Sequence, residues 1–202
     1  MIKYYNWQDE IDENELNEIV NILKNNGVVI FPTETVYGIG CNAFSKMAID
    51  RVYKAKQRPR DKAVNILVLS VNEISKYANI TSDLEKQIIE KYMPGPITLI
   101  LKKKNNFGLY FTGNNDTIGI RIPDNLIILE ILKRIDFPLI APSANISDKP
   151  SGVNPKDIMQ DFKYTADAII DGGISLIGLA STIVKVENNQ IKILRQGSIK
   201  ID

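Results

Sequence analysis

The chain has 202 residues, 44% of them hydrophobic, and its 25 basic and 24 acidic side chains give a formal net charge of +1. A chain of this size and composition buries an ordinary hydrophobic core, which excludes a disordered or a disulfide-stapled protein. The sequence contains no histidine, which excludes Ser-His-Asp and Cys-His catalysis, histidine-ligated metals and histidine pH switches.

Helices and short apolar strands alternate along the chain. Leu16, Ile19, Val20 and Leu23 fall on one helical stripe, and the segment 25–27, Asn-Asn-Gly, is typical of a helix end. The apolar run at 28–31, which stops at Pro32, predicts a strand buried on both faces. Further strands are predicted at 66–69, 97–101, 117–121, 139–141 and 168–171, and further helices at 46–57, 82–92, 125–134 and 155–161.

Capping signals and a final hairpin complete the predicted fold. Ser82 and Glu85 form a capping box at the helix 82–92, and Pro155 stands in the first turn of the last helix. Strands at 182–186 and 190–194, joined by two asparagines, predict an antiparallel hairpin. This alternation is typical of an α/β fold. Since no repeat or linker divides residues 1–202, we expect a single domain.

The first candidate for chemistry is PTETVYG at 32–38, a hydroxyl-rich segment directly after a buried strand. Ligands of open α/β sheets bind where such strands end, because loops converge there. The alternative is a plain turn in which Thr and Glu side chains satisfy nearby backbone groups.

The second candidate is the basic run RVYKAKQRPRDK at 51–62. On a helix, Arg51, Lys54 and Arg58 share one face, and Pro59 ends the helix before Arg60 and Lys62. No acidic residue is interleaved at helical spacing, which favours an anion such as phosphate as the partner. The alternative is a solvated helix face.

The third candidate is APSAN at 141–145, small and hydroxyl residues that follow a predicted strand and continue as a loop to Gly152. Such residues let backbone amides approach a phosphate, although the usual phosphate-loop pattern is absent. Arg121 at a strand end, and Ser181 and Arg195 beside the final hairpin, are further candidates. Pairing with surface carboxylates is the alternative for both arginines.

The expected location is cytoplasmic. The N-terminus has no basic region followed by an apolar stretch, and no apolar run approaches the roughly 20 residues that a membrane span needs. The lone Cys41 cannot form an intramolecular disulfide and fits a reducing compartment. No membrane partner is expected.

Six motifs follow one another in a fixed order. They are PTETVYG at 32–38, Lys56-x-Arg58-Pro59 with Lys62, MPGPITLIL at 93–101, DTIGIRIP at 116–123, Ser143-x-Asn145, and STI at 181–183 with LRQG at 194–197. From about residue 12 to 199 the chain resembles the YrdC-like, TsaC-type threonylcarbamoyl-AMP synthases. The resemblance implies a twisted, open mixed sheet flanked by helices, with a central basic cavity. We expect no second C-terminal domain of the kind that longer members carry.

The resemblance also implies a reaction. L-Threonine, bicarbonate or CO2, and ATP would give threonylcarbamoyl-AMP and pyrophosphate, and the product would serve a downstream tRNA threonylcarbamoyl-transfer complex acting beside the anticodon. The carbamate of threonine attacks the α-phosphorus without a protein nucleophile, so positioning and charge neutralisation suffice. Mg2+ is expected to arrive with ATP, and no protein-only metal site is expected.

The family pattern divides the expected site residues between two ligands. The ATP-binding residues are Lys56, Arg58, Lys62, Thr117, Ser143, Asn145, Ser151 and Arg195, with Lys56 and Arg58 in the catalytic role. The threonine-binding residues are Thr33, Thr35, Arg121, Ala141 and Ser181. Arg121 is expected to pair with the threonine carboxylate, because a guanidinium recognises a carboxylate in a bidentate way.

Two other interpretations stay open at this point. One is a relative that forms carbamoyl-adenylate from carbamoyl phosphate. The other is a module that binds double-stranded RNA or tRNA through the basic concavity. The near-neutral charge, and a basic run with Tyr53 as its single aromatic residue, disfavour RNA binding as the main function. Weak RNA binding is kept as a secondary property.

Overall fold

The computed structural model describes residues 2–104, 107, 110–113 and 115–201. Its helices are α1 (Glu13–Lys24), α2 (Lys46–Ala55), α3 (Val71–Tyr77), α4 (Asp83–Tyr92), α5 (Leu126–Lys133) and α6 (Pro155–Phe162). Its strands are β1 (Lys3–Asn6), β2 (Val29–Phe31), β3 (Gly38–Asn42), β4 (Ile66–Leu67), β5 (Ala78–Asn79), β6 (Ile97–Lys103), β7 (Thr117–Arg121), β8 (Leu139–Ile140), β9 (Ala168–Asp171), β10 (Thr182–Glu187) and β11 (Gln190–Arg195). No helix within the described residues has the length and hydropathy of a membrane span.

The strands form one mixed sheet in the order β1-β9-β2-β3-β8-β4-β7-β6-β10-β11, and β5 pairs with β6 beside this path. The pairs β1/β9, β2/β9, β4/β7 and β6/β10 are parallel, whereas the other neighbours are antiparallel. β10 and β11 form the predicted hairpin, with Glu187 opposite Gln190. The expected twisted, open mixed sheet flanked by helices is confirmed.

Strands β2 and β9 are buried on both faces, as their runs of apolar residues predict. In β2, Ile30 packs into the larger core with α2, α4 and α6, while Val29 and Phe31 pack into a second core with α1 and α5. Successive side chains of a strand point to opposite faces, so a strand covered on both sides must be apolar throughout. The result is a layer of helices on each face of the sheet.

Local capping signals set several helix boundaries. The Asp12 carboxylate accepts hydrogen bonds from the amides of Asn14 and Glu15 at the start of α1. The predicted capping box is present at α4, where the Ser82 hydroxyl accepts from the Glu85 amide and the Glu85 carboxylate accepts from the Ser82 amide. These helices therefore begin where the sequence signals place them.

Helix α2 ends two residues before its predicted end. Gln57 adopts a left-handed φ of 50°, its amide donates to Lys54 O, and the amide of Arg58 donates to Tyr53 O. This pair of bonds is the Schellman motif, which satisfies the last carbonyls of a helix and reverses the chain. Lys56 is the residue at which the helix stops.

This chain reversal separates the basic residues of 51–62. Arg58 does not share a helix face with Arg51 and Lys54, so that prediction is wrong. Two bases of the run pair with acidic residues that lie outside residues 51–62. Arg51 pairs with Asp167, 116 residues further along the chain, at 2.8 Å. Arg60 pairs with Asp50, an aspartate of α2. The basic run is therefore divided between a surface face and the interior.

Candidate active site

A cavity of about 180 Å³ lies on one face of the sheet, over four neighbouring strands. Alternate residues of a strand share one face, and each of the strands β4, β7, β6 and β10 supplies one such pair to the floor. In β4 and β10 the first residue of the pair is the one just before the strand. The floor residues are Asn65 and Leu67, Gly119 and Arg121, Thr98 and Ile100, and Ser181 and Ile183. Their neighbours Ile66, Leu99, Ile120 and Val184 pack into the larger core on the opposite face.

Loops that follow strands and helices build the walls. The PTETV segment after β2 supplies Thr33 and Thr35, and the segment after β8 supplies residues 141–143. Gly119 keeps the floor deep, because a Cβ there would lie within 3.1–3.2 Å of three side-chain atoms. The cavity thus combines strand ends, as the sequence predicts, with a sheet face that the sequence does not reveal.

Three guanidinium groups face this cavity, those of Arg58, Arg121 and Arg195, and none of the described residues that line it is acidic. Partial burial lowers the pKa of Arg195, and the positive charges of Arg121 and Arg58 lower it further. Cations that repel one another in a concave site are stabilised by a bound anion. The arrangement therefore favours a phosphate or carboxylate ligand.

Each of the three arginines is fixed by main-chain acceptors. Arg58 donates from Nε to Lys62 O at 3.1 Å and from Nη2 to Ala63 O at 2.7 Å. Arg195 donates from Nε and Nη2 to Ser181 O, at 3.1 and 2.8 Å, and so ties the end of β11 to the start of β10. Guanidinium groups held in this way need little reorganisation when a ligand binds.

Arg121 is the most deeply buried of the three, with 7% of its side chain exposed. Its Nη2 lies 2.7 Å from Glu34 Oε1, and its Nε donates to Gly95 O at 3.2 Å. Glu34 is itself only 10% exposed, and within the described residues neither of its carboxylate oxygens has a well-aligned hydrogen-bond donor. Within the described part of the chain, Arg121 is therefore the basic side chain that balances the charge of Glu34.

The two threonines of the PTETV segment are buried and hydrogen-bonded to each other, with 2.8 Å between their Oγ1 atoms. Thr33 Oγ1 donates its single proton to Val36 O at 2.6 Å. Thr35 must then be the donor in the contact between the two hydroxyls. Thr35 Oγ1 consequently presents acceptor lone pairs to the cavity, which suits a ligand hydroxyl or ammonium group.

The structure brings eight of the predicted site residues together around the cavity: Thr33, Thr35, Arg58, Arg121, Ala141, Ser143, Ser181 and Arg195. Five others do not line it. Lys62 pairs with Asp148 at 3.5 Å on the outer rim, and Thr117 begins β7, two residues before Gly119 on the same face. Ser151 is half-buried further along the loop. Lys56 and Asn145 bond each other behind Ser143.

Several residues of the site were not predicted from the sequence, among them three with polar side chains. Asn65 and Thr98 lie on the floor, and Thr98 Oγ1 is 2.8 Å from Ser181 Oγ. Glu34 stands behind Arg121. A polar residue beside or within an apolar run is the signal that could have identified both, since Asn65 precedes such a run and Thr98 interrupts one.

The fold and the cavity define an α/β protein with three arginines facing a cavity on one side of its mixed sheet. The family model Sua5_yciO_yrdC, described as "Telomere recombination", matches residues 21–197. The chain therefore belongs to the Sua5/YciO/YrdC family.

Curated relatives in this family carry one activity in their names. "Threonylcarbamoyl-AMP synthase" of Pyrococcus abyssi is 33% identical over 98% of this chain and 58% of its own length. "Putative threonylcarbamoyl-AMP synthase" of Methanocaldococcus jannaschii is 40% identical over 100% of this chain and 94% of its own. This chain thus spans little more than half of the first relative and nearly all of the second.

A solved structure of the family contains an amino acid. "Crystal structure of P. abyssi Sua5 complexed with L-threonine" matches with a TM-score of 0.91 and 33% identity, and covers 98% of this chain and 57% of that one. The similarity confirms that the fold described above is that of the family.

Proposed function

We propose that this protein is an L-threonylcarbamoyladenylate synthase, which forms threonylcarbamoyl-AMP and pyrophosphate from L-threonine, bicarbonate or CO2, and ATP. The observation that carries the proposal is the cavity with three guanidinium groups and no acidic lining residue among those described. It offers sites for two anions, a polyphosphate and a carboxylate. The names of the relatives and the threonine complex of P. abyssi Sua5 support this pairing of ligands.

ATP is proposed to bind along Arg58, Ser143 and Arg195. The two arginines neutralise phosphate charge, which increases in the transition state of phosphoryl chemistry, and Ser143 adds a hydroxyl at the wall. Lys62, Thr117, Asn145 and Ser151 lie around rather than inside the cavity, and they are proposed to contact the parts of the nucleotide that extend beyond it.

Threonine is proposed to bind on the other side, against Arg121, Thr35 and Ser181, with Thr33 and Ala141 completing the wall. The carboxylate pairs with Arg121, whose remaining nitrogen is directed by the bonds to Glu34 and Gly95. Thr35 Oγ1 accepts a hydrogen bond from the substrate hydroxyl. A buried polar partner of this kind discriminates strongly against an analogue that lacks the hydroxyl.

The reaction needs no protein nucleophile. The neutral amine of threonine adds to CO2 and releases one proton to solvent, which gives a carbamate. One carbamate oxygen then bonds to the α-phosphorus, and the bond from that phosphorus to the bridging oxygen breaks to release pyrophosphate. The protein positions both substrates and neutralises charge. Because no carboxylate of the described residues lines the cavity, Mg2+ is proposed to arrive as MgATP, held by the phosphates. The product is proposed to pass to a tRNA threonylcarbamoyl-transfer complex in the cytoplasm.

A single experiment tests the class, the substrate and the reaction together. The purified chain is incubated with MgATP, bicarbonate and each amino acid in turn, and pyrophosphate release and the mass of the adenylate are measured. Threonine should drive both, while carbamoyl phosphate without threonine should drive neither. Pyrophosphate release that depends on carbamoyl phosphate would favour the carbamoyl-adenylate interpretation, and binding of duplex RNA without any adenylate would favour the RNA-binding module.

A further inference from the structure

Lys56 is a buried lysine that faces away from the cavity. Only 1% of it is exposed, and none of the acidic side chains in the described part of the chain pairs with it. Its Nζ instead donates to Ser143 O and, at 2.6 Å, to Asn145 O, with Asn145 Oδ1 at 3.5 Å. An ammonium group has three donors, so these three oxygens account for all of them.

The same loop is bonded to Lys56 from its other end. The amide of Ser147 donates to Lys56 O at 2.8 Å, so both the side chain and the main chain of Lys56 hold residues 143–147. Inside the loop, Asn145 Nδ2 donates to Ile146 O and Lys149 O at 2.8 and 2.9 Å. The loop therefore wraps around the ammonium group, and Ser143 is left facing the cavity.

The helix end explains why this lysine is inside. The Schellman motif reverses the chain at Gln57, which turns Lys56 under the loop and leaves Arg58 to face the cavity. Burial and the charge of Arg58 together lower the pKa of Lys56 to about 7. An isolated buried charge is costly, so this position is occupied only because the loop carbonyls solvate the ammonium group.

We propose that Lys56 is a positioning residue that shapes the 143–147 loop for the nucleotide and does not itself bind phosphate. This inference rests on the proposed function for the identity of the nucleotide. The contacts between Lys56 and the loop are present in the structure whatever the ligand is. A phosphate ligand would need a free donor in the cavity, and Lys56 has none. Arg58, two residues later, supplies the charge that the phosphates meet.

The test combines binding with backbone exchange. In Lys56→Met, which keeps the length and apolar stem of the side chain, the amides of Ala144 and Ser147 should exchange at least tenfold faster without any ligand. The dissociation constant for ATP should rise about tenfold, as expected if only about a tenth of the molecules then hold the loop in its binding conformation, while that for threonine changes less than twofold. Lys56→Gln, which restores a donor, should recover part of both losses.

Lys54→Met is the matched control, because Lys54 is also a lysine, lies two residues earlier in the last turn of α2, and is exposed. It should leave loop exchange and both affinities unchanged. Weaker ATP binding in Lys56→Met with wild-type exchange at Ala144 and Ser147 would overturn the inference and make Lys56 a direct ligand. Wild-type ATP affinity in Lys56→Met would overturn it too. Wild-type protein that binds no ATP would instead contradict the proposed function.

Discussion

The buried pair of Glu34 and Arg121 makes a quantitative prediction about stability. The guanidinium of Arg121 is 7% exposed, and Glu34→Ala leaves it with Gly95 O as its one acceptor among the described residues. Breaking a buried ion pair on one side costs about 3–5 kcal/mol, whereas a whole domain is stable by only about 5–15 kcal/mol. With a urea dependence of about 2 kcal/mol per molar, the unfolding midpoint should fall by roughly 2 M.

Threonine should reverse part of this loss. If its carboxylate pairs with Arg121, it supplies the anion that the variant lacks. At a hundredfold excess over its dissociation constant, a ligand stabilises the folded state by about 2.7 kcal/mol. The threonine-induced rise of the midpoint in Glu34→Ala should therefore be at least as large as in the wild type. Urea unfolding followed by circular dichroism, with and without threonine, measures both effects.

An exposed pair provides the control. Glu13 pairs with Arg134 at 2.9 Å but is 70% exposed, and such pairs contribute about 0–1 kcal/mol. Glu13→Ala should therefore shift the midpoint very little. If Glu34→Ala loses no more stability than Glu13→Ala, the argument that Arg121 depends on Glu34 for charge balance is refuted.

Three further predictions concern the cavity and its walls. Arg121→Lys should raise the KM for threonine at least tenfold with the KM for ATP nearly unchanged, and valine should be a poor substrate for the wild type. Steady-state kinetics with each substrate varied measures both, and a raised KM for ATP instead of threonine would show that the two ligands were assigned to the wrong sides of the cavity. Arg58→Ala should weaken ATP binding in calorimetry while Arg60→Ala, outside the cavity, leaves it unchanged, and equal losses would contradict this placement. Gly40→Ala should lower the free energy of unfolding by about 1–3 kcal/mol in urea unfolding, since its Cβ would lie 2.5 Å from Ile140 O. An unchanged midpoint would show that β3 and β8 can move apart to admit the methyl group without loss of stability.

Elements with strong periodicity could be predicted from the sequence. β7 and β9 match their predicted bounds, and the stripe from Leu16 to Leu23 lies in α1. β3 was not predicted, because its sequence GIGCN has two glycines and little strand propensity. It is extended because the ring of Phe31 packs on the backbone of Gly38 and Gly40, within 3 Å of where a Cβ would stand. That contact depends on tertiary structure.

β1 and α3 were missed for similar reasons. β1 (KYYN) pairs only with β9, far along the chain, and buries one of its four residues. α3 buries only Ile74 and Tyr77, too few for a helical stripe. In both cases, long-range packing outweighs a weak local pattern.

At the site, too, local sequence patterns predict one part of the structure and long-range packing decides the rest. The motifs identify which segments meet, since eight of the predicted residues line one cavity. The direction of each side chain is set by the fold. Lys56 and Arg58 are two residues apart in one motif, yet only Arg58 faces the cavity, because Gln57 reverses the chain between them. Glu34 could not be assigned from the sequence, because its partner is 87 residues away.

The strand order has a consequence for when the site can exist during synthesis. Thr33 is made early, whereas Arg195 ends the last strand, and β10 joins the sheet beside β6 before β11 can pair with it. Contacts of such long sequence separation form slowly, because the intervening chain must be closed first. A nascent chain that has emerged only as far as β9 holds two of the three guanidinium groups. The third guanidinium group therefore joins the cavity only once β11 has been synthesised and has paired with β10.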